Sequence, residues 1–300
     1  MEKFEMVADS KNENNRLDLM LAARLSGRSR SFIQRLIEQG HVLVNGCRAK
    51  SNYRVKAGDS IGIEIPELQS VGVKAEKIPL DIVYEDDALL VINKPAGMVV
   101  HPGSGNYSGT LVNALLFHCD NLSGINGVLR PGIVHRIDKD TTGLLMVAKD
   151  EETHRHLAAQ LKAHTINRKY TALVRGVIEE DEGTVHAPIG RHPTKRKKMA
   201  VVARNSRKAV THFTVLKRYP GYTLVEARLE TGRTHQIRVH MNYIGHPVVG
   251  DSKYGREGEL GSKSLMLHAA VLGFVHPVNN EYMEFKAPLP SHFREVLEAL

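Results

Sequence analysis

The sequence predicts an α+β chain with a small N-terminal αβ module and a larger domain on an extended, mainly antiparallel sheet. Three observations predict it. Two helix-spaced apolar runs followed by an Asn-Gly hairpin lie within residues 16–65. Beyond Ile78, strand-length β-branched runs far outnumber helical ones. The 300 residues are 42% hydrophobic, enough for two cores. The expected division is a flexible N-terminus at 1–15, the module at 16–75 and the larger domain at 76–300.

In the module, Leu17, Leu21 and Leu25, then Phe32, Ile33, Leu36 and Ile37, recur at helical spacing around Ser26 to Ser29, so two short helices are expected. Ser29 or Ser31 is placed to N-cap the second, and Gly40 follows its end as a C-capping glycine does. His41 to Val44, Asn45-Gly46 and Arg48 to Val55 read as a hairpin, Ser60 to Ile65 as a further strand, and Pro66 to Val73 as a linker. Strands are then expected at 82–84, 88–92, 143–148, 169–174, 209–216, 223–229 and 265–274, with helices at 109–117 and 152–163.

The net charge is +8, and it is concentrated. Residues 16–56 carry nine Lys or Arg against two acids, and 191–218 carry ten against none. Two such segments point to a nucleic-acid partner. The N-terminus lacks an apolar signal region and no apolar run approaches the roughly 18 residues of a membrane span. Cys47 and Cys119 are too few for a disulfide framework or a Cys-rich zinc site, and a reducing cytoplasm fits. His-Glu-x-x-His, a Cys-x-x-Cys pair and a Walker A loop are absent, and Gly103-Ser104-Gly105 with Gly109 misses the dinucleotide spacing. No metal and no organic cofactor is expected.

Asp138 stands in His135-Arg136-Ile137-Asp138-Lys139-Asp140, a packet of charge between the apolar runs 132–134 and 144–148. The flanking runs read as buried strands, so this carboxylate needs a basic partner. Arg136 is the local candidate, and a distant arginine is the other. His135, His235 and His240 look like hydrogen-bonding residues rather than ligands.

Residues 16–65 resemble an S4-type RNA-binding domain through Arg16-Leu17-Asp18, Ser29-Arg30-Ser31 and Val42-Leu43-Val44-Asn45-Gly46. The Asp138 loop with Thr141-Thr142-Gly143, Arg168 to Val174, Gly232 to His240, Asn93 to Gly97 and Gly245 to Asp251 resemble motifs of RluA-type pseudouridine synthases, most like the RluD branch. Ile137 and Thr142 depart conservatively from the commoner Leu and Ser.

The resemblance implies a pseudouridine synthase catalytic domain behind an S4-like domain, converting uridine to pseudouridine, most in keeping with 23S large-subunit ribosomal RNA. It gives Asp138 the role of starting glycosidic cleavage, Arg238 that of pairing with Asp138 and keeping it ionised, Tyr170 that of stacking on the base, and Arg136 that of filling the space left by a flipped nucleotide. Arg28, Arg30, Arg35, Arg48, Lys50, Lys195, Arg196, Lys197, Lys198 and Arg233 are the candidate RNA contacts, with Lys195 to Lys198 at a hairpin tip. A cytoplasmic monomer is expected. A transfer RNA target, a non-catalytic RNA-binding or assembly protein and a base-releasing glycosylase are the alternatives.

Overall fold

The computed structural model describes residues 2–25, 30–65, 73–103, 105–124, 130–195 and 198–300. They form two compact units, Met1–Gly72 and Val73–Leu300.

In the first unit, β1 (Glu2–Val7) precedes helices α1 (Leu17–Arg24) and α2 (Arg30–Gln39) and strands β2 (Val42–Val44), β3 (Cys47–Arg48) and β4 (Ser60–Ile65). The strands form an antiparallel sheet in the order β1-β4-β2-β3. Leu17, Leu21, Ile33, Leu36 and Ile37 from the helices pack on Val42, Val44, Ile61 and Ile63 from the sheet. Asn45 and Gly46 both have positive φ, 51° and 74°, as a two-residue hairpin turn between twisted strands requires.

The segment 1–15, expected to be flexible, instead supplies β1, which pairs with β4 from Glu2↔Ile65 to Val7↔Ser60. The backbone groups on that side of β4 need partners, and β1 provides them. Ser31 lies inside α2 rather than capping it, while Ser29 and most of the expected linker lie outside the described residues.

The second unit runs through β5 (Ile82–Glu85), β6 (Leu89–Lys94), α3 (Leu111–His118), β7 (Thr142–Ala148), α4 (Glu151–Ala163), β8 (Asn167–Arg175), β9 (Glu182–His186), β10 (Ile189–Arg191), β11 (Met199–Val201), β12 (Ser206–Arg207), β13 (Val210–Tyr219) and β14 (Tyr222–Leu229). It ends with α5 (Gln236–Tyr243), β15 (Leu267–Val275), β16 (Tyr282–Lys286) and α6 (Ser291–Glu298). Nine strands make one sheet in the order β5-β6-β7-β15-β8-β14-β13-β9, with β16 also on β15. All its pairings are antiparallel except β7 with β15.

Both faces of this sheet are covered, and alternation along β6 and β7 assigns residues to each. Leu90, Ile92, Leu145 and Val147 join a core with α3, α5 and α6, whereas Leu89, Val91, Leu144 and Met146 join another with Leu157 of α4. The strands read as continuous apolar runs for this reason.

The parallel contact is short, His268↔Thr142 and Ala269↔Gly143. Gly143 has φ +107°, and a Cβ there would collide with the backbone of Ala269. Gly143→Ala should therefore destabilise the chain by about 2–4 kcal/mol, through a strained φ and a forced widening of the crossing. Urea unfolding of the full-length variant measures it, and an unchanged midpoint would show that the crossing can widen without cost.

Candidate active site

Asp138 reaches its place through irregular backbone. The expected strand at 132–134 is reduced to one isolated bridge, Ile133↔Val147. Pro131 has no N–H to give a ladder, and Gly132 turns the chain at φ +71° where a Cβ would strike Val147 and the carbonyl of Ala148. Ile137 is then buried, Arg136 is exposed, and Asp138 faces a cleft before β7 begins.

A buried cation steadies the loop from behind. Lys94 at the end of β6 is fully buried, and its Nζ donates to the carbonyls of Pro95 at 2.6 Å, Met98 at 3.0 Å and Lys139 at 2.9 Å. Burial pushes this amine down to about 8 although Asp140 and Asp138 favour its charge. The Lys139 carbonyl is next to Asp138 in the chain, so the clamp limits where that carboxylate can point.

The distant arginine comes from α5. His235 precedes the helix in the left-handed region, φ 57° and ψ 24°. Gln236 fixes this entry: its Oε1 accepts from Thr231 Oγ1 at 2.7 Å and Arg233 N at 3.0 Å, and its Nε2 donates to the Val210 carbonyl at 2.9 Å. Arg238 Nη1 then donates to Asp138 Oδ2 at 3.0 Å. The other edge of the same guanidinium is taken by Asp251, with Nε to Oδ2 and Nη2 to Oδ1 both at 2.7 Å. Asp251 is fully buried and also accepts from the backbone N–H groups of Lys253 and Tyr254.

Burial alone would raise the Asp251 carboxyl and lower Arg238. The hydrogen bonds and charge of the pair reverse both, holding Asp251 below its ordinary value and Arg238 above. Arg136 takes no part in holding Asp138. It lines the cleft with Arg168, Tyr170, Arg233 and His235.

Tyr170 is 7% exposed and reaches the cleft from β8. Burial raises its phenol, Arg168 opposes that shift, and Asp138 adds to it. His235 has its Nδ1 2.8 Å from the Tyr254 hydroxyl and its Nε2 3.9 Å from Asp138 Oδ2. Burial pushes this imidazole down to about 4, so it is neutral near pH 7. His135 Nε2 accepts from Met146 N at 3.1 Å, and His240 pairs with Thr211 Oγ1 and the Ala187 carbonyl at 2.9 Å each.

Asp138, Tyr170, Arg238 and Arg136 thus line one cleft, and Arg233, expected only as an RNA contact, lines it too. The sequence reading missed Asp251, Arg168, Lys94 and Tyr254 as site-building residues. Asp251 and Lys94 stand in the quoted segments 245–251 and 93–97, but nothing in their spacing specifies a pairing with Arg238 or Lys139.

The expected RNA contacts fare unevenly. Arg48 and Lys50 are exposed, and so is Lys195 between β10 and β11. Arg30 binds Asp18 Oδ2 through Nε and Nη2 at 3.0 Å each, beside Arg16 and Gln34 on the same carboxylate. Burial would raise that carboxyl, but these donors hold it well below the usual range. Lys198 folds back onto the Lys253 carbonyl and over the Tyr254 ring, and Arg233 Nε donates to the Lys208 carbonyl at 3.0 Å. Arg28, Arg196 and Lys197, and the side chain of Arg35, lie outside the described residues.

Among the described residues, Glu85, His118 and Cys119 bring ligand-type atoms within 4.8 Å of one another. Lys149 Nζ already pairs with Glu85 at 2.8 Å, and burial pushes the Cys119 thiol up to about 11. Neither suits a cation. No helix among the described residues is long and apolar enough to cross a membrane.

A family model for RNA pseudouridylate synthases matches residues 88–243, and one for the S4 domain matches residues 15–61. An uncharacterized RNA pseudouridine synthase, YlyB, of Bacillus subtilis (strain 168) is 52% identical over 300 residues, covering 100% of this chain and 99% of that protein. A ribosomal large subunit pseudouridine synthase D of Zymomonas mobilis is 46% identical over 297 residues, covering 95% of this chain and 93% of its own. Among solved structures, human RNA pseudouridylate synthase domain containing 1 is similar with a TM-score of 0.59 at 29% identity, over 72% of this chain and 86% of that one.

Asp251→Asn should cost about 2–5 kcal/mol at neutral pH, because it removes one partner of a buried ion pair. The Asp251 carboxyl lies below its ordinary 3.8 in the folded chain, so its contribution is complete above that pH and fades as pH falls through and below it. Denaturant titrations of both proteins from pH 7 to pH 3 should show the gap narrowing only at the acid end. A gap constant with pH would assign the loss to packing rather than charge.

Proposed function

The chain belongs to the RNA pseudouridylate synthase family and is an RNA pseudouridine synthase, and from that premise we propose that it isomerises uridines of 23S large-subunit ribosomal RNA with Asp138 as the initiating carboxylate. The reaction breaks the N1–C1′ bond, turns the freed uracil and joins its C5 to C1′. The C5 proton leaves and N1 gains one, so no redox partner enters and the RNA mass is unchanged. The chemistry needs a positioned carboxylate, a surface that retains the detached base and a way to admit a flipped nucleotide.

The observation that carries the reading is the cleft itself. Its one carboxylate among the described residues, Asp138, is aimed by Arg238 and shares the cleft with the Tyr170 ring. In this reading Asp138 starts the cleavage, Arg238 sets its direction, Tyr170 stacks on the uracil, and exposed Arg136 at the loop supports the vacated stack. A ribosomal target is supported by two relatives, 46% and 47% identical, whose names specify the ribosomal large subunit. Such a substrate implies a cytoplasmic location. The S4 unit would add phosphate contacts through exposed Arg48 and Lys50.

Asp138→Asn should lower tritium release from RNA labelled at uridine C5 by about 10³-fold or more while RNA affinity stays within a few-fold. Retained turnover would remove Asp138 from the chemistry, and release from transfer RNA but not ribosomal transcripts would move the target. Tyr170→Phe keeps the stacking ring and should slow release by about 10²-fold if the hydroxyl relays the C5 proton. Wild-type turnover would remove that relay. Replacing Arg48 and Lys50 together by Ala should flatten the log–log salt dependence of RNA binding by roughly 0.7–0.9 for each phosphate that is no longer bound. An unchanged slope would take this face away from RNA.

A further inference from the structure

Arg168 and Tyr170 are two residues apart on β8, so their side chains stand on the same face of the strand. Both line the cleft with Asp138. Arg168 is 7% exposed, and its Nε–H is buried without a hydrogen-bond partner. Buried guanidinium groups are ordinarily paired, and an unmet donor in a pocket calls for an explanation. The acid within the cleft does not supply it, because Asp138 is held by Arg238.

The guanidinium forms part of the cleft wall. Gly232 faces it, and a Cβ at that position would lie 3.0 Å from Arg168 Nη1. Residues i and i+2 of a strand are separated by about 7 Å. A base held against Tyr170 is therefore within reach of the Arg168 guanidinium on the same wall of the cleft. Arg136, by contrast, is exposed, where a sugar–phosphate backbone would pass.

We propose that Arg168 binds the flipped uracil, donating to a carbonyl oxygen of the ring and holding the negative charge that gathers there while the base is detached. The inference rests on the isomerase reading above and adds a residue to it. It does not depend on which atom Asp138 acts upon. Attack at C1′ or removal of the 2′ proton expels the base with the N1–C1′ electron pair, which spreads onto the carbonyl oxygens. Attack at C6 pushes a ring electron pair to the same kind of oxygen. When C5 bonds to C1′ the ring gives that pair back, and the C5 proton departs afterwards. A fixed cation in a site shielded from water stabilises the charge where it develops.

The test compares wild type, Arg168→Met, Arg168→Lys and Asp138→Asn as full-length proteins on ribosomal and transfer RNA transcripts tritiated at uridine C5. Single-turnover release at saturating protein, RNA Kd and Tm are read for each. Release by wild type that Asp138→Asn lacks reads the isomerase assignment, separately from Arg168. Arg168→Met should slow release by about 10²-fold or more with Kd within a few-fold. Its Tm should hold or rise, since Met removes an incompletely paired buried charge, and Lys should restore part of the rate. A Met variant that turns over within a few-fold of wild type would overturn the proposal. So would a rate loss matched by a fall in Tm or by weakened RNA binding, which marks a structural role.

Discussion

One guanidinium shared between two carboxylates is the constraint on which the site is built. Arg238 gives Nε and Nη2 to Asp251 and the remaining Nη1 to Asp138. Asp251 is wholly buried and also held by backbone donors, so it acts as the fixed end of the arrangement. Asp138 is the end that faces the cleft. Because a planar guanidinium holds a carboxylate bidentately only in its own plane, fixing Asp251 also fixes the direction in which Nη1 points. Gln236 secures the start of α5 and Lys94 secures the Asp138 loop, so both sides of the ion pair rest on buried hydrogen bonds.

The legibility of the sequence follows the same division between apolar and polar burial. Seven strands of the large sheet and helices α3 and α4 bury aliphatic side chains at regular spacing, so their positions can be read to within a few residues, whereas β9 and β16 are mostly exposed and escape the pattern. Helix α5 has no such stripe. It buries Gln236, Arg238 and His240 beside Ile237, Val239 and Met241, so polar residues occupy positions that a hydrophobic pattern treats as surface. The need for a distant arginine is readable from a carboxylate between buried runs, whereas its sharing with Asp251 requires the fold. Strand β1 is hidden from the pattern because charged Glu2, Lys3 and Glu5 crowd a strand at a sheet edge.

Charge counting locates the basic segments but does not divide their residues by task. Asp18 engages Arg16 and Arg30, and Lys198 turns toward Tyr254, so part of the positive charge stabilises the units themselves. Arg48, Lys50 and Lys195 remain exposed for a partner. A basic segment therefore combines internally paired and exposed charges, and only neighbours in space distinguish them.

A carboxylate held by Arg238 that isomerises a uridine, rather than releasing its base, leaves a product of uridine's own mass. Nucleoside analysis by chromatography and mass spectrometry, after full-length protein acts on transcribed large-subunit ribosomal RNA, measures this directly. The expected result is a new nucleoside of uridine's mass at a different retention, with no free uracil, and its disappearance when Arg238 is replaced by Met although RNA is still bound. Free uracil with abasic sites, or undiminished product from the Arg238→Met variant, would contradict it.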